Sequence, residues 1–282
     1  MQTPPAVMLA KYGLAPSRQR GQSFLTDDNV IRKVVDAVGA GPDDVVLEIG
    51  PGFGALTFGL AEAAKHVVAV EIDGGIARAF RQEYGETPGI TLVSGDVLEL
   101  DFEATAKQEG AQRLLVAGNI PYSLTSPLLR LMVSKRDVVD RAVLMIQAEV
   151  CSRLVAEAGD PDYSGLSAAA RYHANVRKLF NVRRTCFHPR PNVDSGVVEI
   201  DFGRPPVRAS DAKLFERVVR AAFGKRRKML RQSMSDLLKE AEADASELEQ
   251  ASGIELSRRG ETLNVDEFDA LASALGRLLR AS

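Results

Sequence analysis

The fold is decided by the stretch Glu48-Ile49-Gly50-Pro51-Gly52-Phe53-Gly54-Ala55. It follows the apolar run Val45–Ile49, which is typical of a buried strand, and it precedes a helical pattern at 55–64. Glycines at such a turn let a ligand approach the backbone, and the next helix presents unpaired N–H groups. The stretch therefore predicts a strand–turn–helix unit that holds a nucleotide-like ligand, although a bare tight turn is the alternative.

Similar apolar runs, separated by helical patterns, continue on both sides of this unit. We predict further strands at 66–72, 90–93, 114–117 and 142–146, and a helix after the cap Thr26-Asp27-Asp28. Near-continuous apolar strands that alternate with helices indicate a parallel sheet covered on both faces. The fold class is therefore α/β.

The last part of the chain has a different pattern. Strands are predicted at 175–182 and 195–202, and Gly203-Arg204-Pro205-Pro206 then breaks the sequence. Beyond this break, apolar residues recur at helical spacing in four segments. These segments are 215–223, 230–238, 245–251 and 265–279. We predict two domains, 1–203 with the sheet and a small all-helical domain at 204–282.

Composition limits the class of protein. The 282 residues are 45% hydrophobic and 26% charged, which suits a globular protein of about two domains. No apolar run reaches the ~20 residues of a membrane span, and Met1-Gln2-Thr3-Pro4-Pro5 lacks the charged region and apolar stretch of a secretory signal. The two cysteines, Cys151 and Cys186, fit a reducing compartment and cannot hold a metal by themselves. We expect a cytoplasmic protein without a metal site.

Although the net charge is only −2, the basic residues are clustered in separate stretches of the sequence. No acidic residue occurs between Tyr163 and Val193, and Glu216 is the one acid against eight basic residues from Lys213 to Arg231. Such stretches favour a polyanionic partner, although each of them alone also fits a solvated surface.

Two acids follow the second and third predicted strands. Glu71, 21 positions after Gly50, could accept hydrogen bonds from ribose hydroxyls, and Asp96 could accept one from the adenine amino group of a cofactor. Gly50 to Ala55 also satisfies the dinucleotide pattern, so NAD is an alternative. No obvious His or Lys/Tyr pairing is available for hydride transfer, which favours S-adenosylmethionine.

The turn after the fourth strand is Asn119-Ile120-Pro121-Tyr122. The lone pair of an adenine amino group is delocalised, so this nitrogen is a poor nucleophile. Acceptors such as the Asn119 side-chain oxygen and the Ile120 carbonyl would favour a pyramidal nitrogen that can attack a methyl group. Tyr122 and Phe187 could stack on a flipped base. A plain turn, and a Phe187 that only anchors its loop, are the alternatives.

Together these motifs resemble the ribosomal RNA adenine N6-dimethyltransferases of the KsgA type. The resemblance covers nearly the whole chain, from Gly21-Gln22-Ser23-Phe24-Leu25 to Arg259-Gly260-Glu261 and Glu267-Phe268. It implies a Rossmann-like methyltransferase sheet with a small helical domain. It also implies dimethylation of two adjacent adenosines in the 3′-terminal hairpin of 16S ribosomal RNA, and a role in small-subunit biogenesis.

The resemblance also implies roles for individual residues. Arg226, Arg227 and Lys228 would contact RNA, and catalysis would involve Asn119, Ile120, Pro121, Tyr122 and Phe187. Cofactor contacts are expected at Ser23, Leu25, Gly50, Gly52, Glu71, Ile72, Asp96, Val97 and Asn119. The family usually has Asn in place of Ser23, whose shorter side chain would reach the cofactor through water. It more often has Leu in place of Ile120, which changes little because this residue would act through its backbone.

Two further readings stay open at this stage. The chain could be a large-subunit RNA methyltransferase that confers antibiotic resistance, which would share the catalytic turn. It could also be a ribosome-assembly factor without catalysis, although the intact Asn119 turn, Glu71 and Asp96 argue against this. We expect the protein to act as a monomer.

Overall fold

A computed structural model describes residues 3–17, 21–121, 123–203, 208, 210–225 and 227–281. The chain forms two compact units, Met1–Cys151 with Val176–Arg204, and Ser152–Asn175 with Pro205–Ser282. The predicted division at 203/204 therefore misplaces residues 152–175. The reason is packing, because Tyr172 stacks on Phe215 of the second unit with ring centroids 3.8 Å apart.

The first unit is built on the predicted sheet. Its strands are β1 (Phe24–Leu25), β2 (Val45–Ile49), β3 (His66–Glu71), β4 (Ile90–Ser94), β5 (Leu114–Asn119), β6 (Val139–Gln147), β7 (Asn175–Val182), β8 (Phe187–His188) and β9 (Ser195–Asp201). The order is β4-β3-β2-β5-β6-β9-β7, with β1 and β8 in a separate antiparallel pair. The strands from β4 to β6 are parallel and β9 is antiparallel to β6, so the α/β prediction is confirmed.

The register aligns the carboxyl ends of the central strands. Ile49 of β2 lies opposite Val70 of β3 and Gly118 of β5, and Glu71 lies opposite Ser94 of β4. The segments that follow these strands therefore meet at one edge, where open α/β sheets bind ligands. Every residue of β2 is buried, as expected for a strand with both faces covered.

Helices connect the strands of the first unit. They are α1 (Pro5–Lys11), α2 (Asp28–Val38), α3 (Thr57–Ala63), α4 (Gly74–Tyr84), α5 (Phe102–Gln108), α6 (Thr125–Ser134) and α7 (Ala148–Val155), which runs into the second unit. The predicted cap is confirmed, because the Asp27 carboxylate accepts from the backbone N–H groups of Asn29 and Val30. No feature of the sequence had predicted α1.

The second unit is helical. It contains α8 (Gly165–His173), α9 (Ala212–Gly224), α10 (Leu230–Ser233), α11 (Ser235–Glu240), α12 (Ala245–Ser252) and α13 (Val265–Ala281). The predicted helix at 230–238 is divided at Met234, yet its apolar stripe still enters the core around Phe215 and Phe268. Within the described residues, no helix has the length and apolar composition needed to cross a membrane.

Candidate active site

A cavity of about 580 Å³ opens where the central strands end. This volume lies in the range of ligand pockets, ~300–1,000 Å³. The predicted cofactor and catalytic residues that the structure describes all line it. They are Ser23, Leu25, Gly50, Gly52, Glu71, Ile72, Asp96, Val97, Asn119, Ile120, Pro121 and Phe187. Tyr122 lies outside the described residues.

The glycine loop brings backbone close to the cavity. Gly52 has φ of 58°, and a Cβ atom there would lie 2.9 Å from the Phe24 ring. A side chain at this position would therefore need both a strained backbone and a displaced ring. A hydrogen bond to the end of β3 holds the loop in place, because the Gly52 N–H donates to Glu71 Oε2 at 3.2 Å.

Glu71 is held as a buried carboxylate at the end of β3. Besides Gly52, the backbone N–H of Asp73 donates to its Oε1 at 2.9 Å. These two bonds orient the carboxylate at the cavity wall.

Glu48, the first residue of the glycine motif, lines the cavity although the sequence had not predicted a role for it. Its side chain is 1% exposed and has an oxygen, Oε2, without a hydrogen-bond partner among the described residues. Burial raises the pKa of Glu48 to about 8; the neighbouring Glu71 adds to this shift and the Thr57 hydroxyl opposes it. The signal in the sequence was an acid within an otherwise apolar strand.

The part of the cavity that follows β3 and β4 combines one acid with exposed apolar side chains. Asp96 caps a short 3₁₀ turn, because its Oδ1 accepts from the Leu98 N–H at 2.9 Å. Ile72 is 56% exposed and Leu98 is 37% exposed, and both line the cavity. Large apolar side chains left in water beside a pocket favour a flat apolar ligand group such as a nucleobase.

The Asn119 amide is fixed by the backbone of a distant segment. Its Nδ2 donates to the Ser23 carbonyl at 2.8 Å. Because a carbonyl can only accept, this bond determines which amide atom is the oxygen. Ile120 donates its N–H to the Met145 carbonyl at 2.9 Å, which fixes the next residue of the turn. The Asn119 side chain is therefore held in one orientation at the wall of the cavity.

Phe187 belongs to β8, which pairs with β1 so that Phe187 lies opposite Leu25 and His188 opposite Phe24. Phe187 is 6% exposed, packs in the core of the sheet and also lines the cavity. The Ser23 hydroxyl donates to the Pro189 carbonyl. Ser23 therefore joins the Asn119 turn to the Phe187 loop, a role that the sequence analysis missed.

The N-terminal segment forms another unpredicted part of the wall. Thr3, which lines the cavity, donates its hydroxyl to Glu83 of α4 at 2.9 Å. Lys11 and Tyr12 donate to the same carboxylate at 2.5 and 2.8 Å. The bond from Lys11, then those from Tyr12 and Thr3, lower the pKa of Glu83 to about 2. Glu83 therefore stays ionised at neutral pH and ties α1 beside the cavity.

The predicted RNA contacts lie in the second unit. Arg227 and Lys228 are exposed, and Arg227 has φ of 68°; Arg226 lies outside the described residues. The Leu230 N–H donates to the Arg258 carbonyl at 2.8 Å, which fixes the end of this segment. Across the described residues, no group of His, Cys, Asp and Glu side chains is arranged to hold a metal ion.

Parallel strands, a glycine turn and an acid at the end of β3 define a Rossmann-like α/β fold. Two solved structures share it. A dimethyladenosine transferase from Plasmodium falciparum aligns with a TM-score of 0.73 and 24% identity over 88% of this chain and 95% of that one. The 23S rRNA methyltransferase ErmE aligns with a TM-score of 0.70 and 23% identity over 90% and 99%.

The chain belongs to the ribosomal RNA adenine dimethylase family, whose model matches residues 16–271, and it is accordingly a methyltransferase. It is 39% identical to the ribosomal RNA small subunit methyltransferase A of Geobacillus thermodenitrificans, over 97% of this chain and 95% of that protein. Identity to the protein of the same name from Geobacter metallireducens is 40%, over 93% and 96%.

Proposed function

We propose that this enzyme transfers methyl groups from S-adenosylmethionine to the N6 atoms of two adjacent adenosines in the 3′-terminal hairpin of 16S ribosomal RNA. The observation that supports the proposal is the Asn119 amide at the cavity, whose Nδ2 is held by the Ser23 carbonyl, so that its oxygen could accept from a ligand. The full-length relatives named small subunit methyltransferase A support the choice of RNA.

The cavity fits this cofactor. Glu71 would accept from the ribose hydroxyls, Asp96 from the adenine amino group, and Ile72 would cover a face of the adenine ring. Glu48 adds a buried oxygen that lacks a hydrogen-bond partner in the described residues, which fits a polar ligand better than an apolar one. When bound, the cofactor supplies a methyl group on a sulfonium, which leaves as a neutral thioether.

The residues of the turn would prepare the acceptor nitrogen. Asn119 Oδ1 and the Ile120 carbonyl would accept hydrogen bonds from the two amino hydrogens, and these bonds favour the pyramidal nitrogen whose lone pair can attack. Neither group is a base, so the proton would leave for water after the nitrogen has acquired its positive charge. Rate enhancement then comes from orientation and from acceptors placed in advance.

The acceptor base would be held by stacking. Phe187 is fixed by the pairing of β8 with β1, and Tyr122 would stack on the base from the catalytic turn. Stacking stabilises a flipped base by ~1–3 kcal/mol, which offsets part of the cost of unstacking it. Arg226, Arg227 and Lys228 would bind RNA phosphates through the second unit. The same binding could make the protein a check on small-subunit assembly in the cytoplasm.

The test is methyl transfer to defined ribosomal particles. Purified protein and labelled S-adenosylmethionine are incubated separately with unmethylated small subunits and with large-subunit RNA, and mass spectrometry of each RNA locates dimethyladenosine. We expect two adjacent dimethyladenosines near the 3′ end. Label confined to large-subunit RNA would instead favour the antibiotic-resistance reading. Binding without transfer would favour an assembly factor, and binding of NAD in place of S-adenosylmethionine would favour an oxidoreductase.

A further inference from the structure

The loop that carries Phe187 also carries exposed cations. Arg183 and Arg190 are exposed on either side of β8, whereas Phe187, Pro191 and Ser195 of the same segment line the cavity. We propose that Arg183 and Arg190, here called the arginine rim, bind the backbone phosphates of the RNA strand that delivers the acceptor base. This inference rests on the proposed function, and it adds an RNA site on the first unit.

The two arginines of the rim lie within a basic stretch of the sequence. No acidic residue occurs in the sequence from Ser164 to Val193, and no ion pair to Arg183 or Arg190 is found in the described part of the chain. Arg177 shows the contrast, because it makes two bonds of 2.6 and 3.0 Å to the buried carboxylate of Glu199. The rim therefore keeps the positive potential that attracts phosphate.

The loop is also held in place before RNA arrives. Its Cys186 carbonyl accepts from the Thr26 N–H at 2.8 Å, and the Pro189 carbonyl accepts from the Ser23 hydroxyl. At its far end, Asp194 accepts from the Arg184 N–H at 2.8 Å. Because the backbone that carries the rim is already fixed, less ordering entropy is lost when a phosphate binds.

The position of the arginine rim beside Phe187 indicates which part of the RNA it would contact. A base that stacks on Phe187 must leave its ribose and phosphates at the mouth of the cavity, where residues adjacent to Phe187 meet them. Phosphate contacts of this kind fix the register of a strand and carry no sequence information. The rim would therefore position the adenosines, and the Asn119 turn would select the atom that reacts.

The experiment measures how RNA affinity depends on salt. The probe is a synthetic RNA hairpin with two adjacent adenosines in its loop, and the variant is Arg183→Gln/Arg190→Gln. Each phosphate contact contributes ~0.7–0.9 to the magnitude of the slope of log binding constant against log salt concentration. Because the variant lacks two such contacts, its slope should be shallower than that of wild type by about 1.5. The ratio of the wild-type RNA affinity to that of the variant should therefore fall roughly tenfold over a fourfold rise in salt concentration.

The matched control is Lys107→Gln/Arg136→Gln, which removes two exposed charges from segments preceding β5 and β6, at the opposite edge of the sheet. It should keep the wild-type slope, and all three proteins should bind S-adenosylmethionine equally. If the rim variant keeps the wild-type slope, or if the control variant loses as much slope as the rim variant, the arginine rim does not bind the phosphates of the RNA. Wild-type methyl transfer to small subunits tests the proposed function separately, so either idea can fail alone.

Discussion

The Glu48→Gln variant tests whether a buried, protonated carboxyl lies beneath the glycine loop. Glu48 is fully buried, and burial, with Glu71 nearby, raises its pKa from 4.5 to about 8. Glutamine has nearly the same shape as a protonated glutamate but cannot lose a proton. The substitution therefore removes one titration and leaves the packing nearly unchanged.

The sign of the effect follows from where the proton is bound. Between pH 4.5 and about 8, folded Glu48 keeps a proton that the unfolded chain has lost, so rising pH favours unfolding. The slope approaches ~1.4 kcal/mol per pH unit, and the whole interval corresponds to at most about 5 kcal/mol. This contribution is fully present below 4.5, declines as the pH rises, and is lost above about 8.

Denaturant unfolding of both proteins across this pH interval measures the difference directly. Wild type should lose stability relative to Glu48→Gln by about 1–1.4 kcal/mol per pH unit until the difference levels off near pH 8. Glu62→Gln, at an exposed position of α3, is the control and should give a constant difference from wild type. Parallel curves for wild type and Glu48→Gln would refute the argument, because they would mean that Glu48 is ionised in the folded protein.

Three further predictions concern ligand binding. Asn119→Ala should lower the rate of methyl transfer by roughly 10²–10³-fold while calorimetry shows a much smaller loss of cofactor affinity, and a near-normal rate would contradict its role as an acceptor. Glu71→Ala should weaken cofactor binding roughly tenfold or more because bonds to a charged acceptor are lost, and wild-type affinity would contradict the ribose contact. Glu83→Gln should speed amide hydrogen exchange in α1 and weaken cofactor binding, whereas Glu103→Gln, which breaks a surface pair with Lys135, should change neither.

The sheet and the arrangement of its motifs could be predicted because the signals are local. Val45–Ile49 is an uninterrupted apolar strand, and each candidate ligand group follows such a run directly. In a parallel sheet the ends of the strands meet, so Glu71, Asp96 and Asn119 could be placed at one cavity without any measured distance. The parts they would play there remain proposals.

Other features depend on contacts between distant segments, which a local pattern does not contain. The pairing of Leu25 with Phe187 spans more than half the chain, and strands of two residues give no periodic signal. Residues 152–175 join the helical unit because Tyr172 stacks on Phe215, although nothing in their composition marks a boundary. The anchoring of α1 through Glu83 depends on similarly distant contacts.

The Ser23 segment shows why these distant contacts matter for the proposed chemistry. Its carbonyl holds the Asn119 amide, its hydroxyl holds the Pro189 carbonyl, and the next residues form β1 against β8. One short segment thus sets the position of the Asn119 side chain relative to Phe187. A reaction that uses no strong base depends on such placement, since a displaced acceptor cannot be compensated by greater basicity. A residue without this hydroxyl at position 23 would need a different contact to hold Pro189. We therefore expect the hydroxyl of this chain to be a positioning group, acting through Asn119 and Phe187.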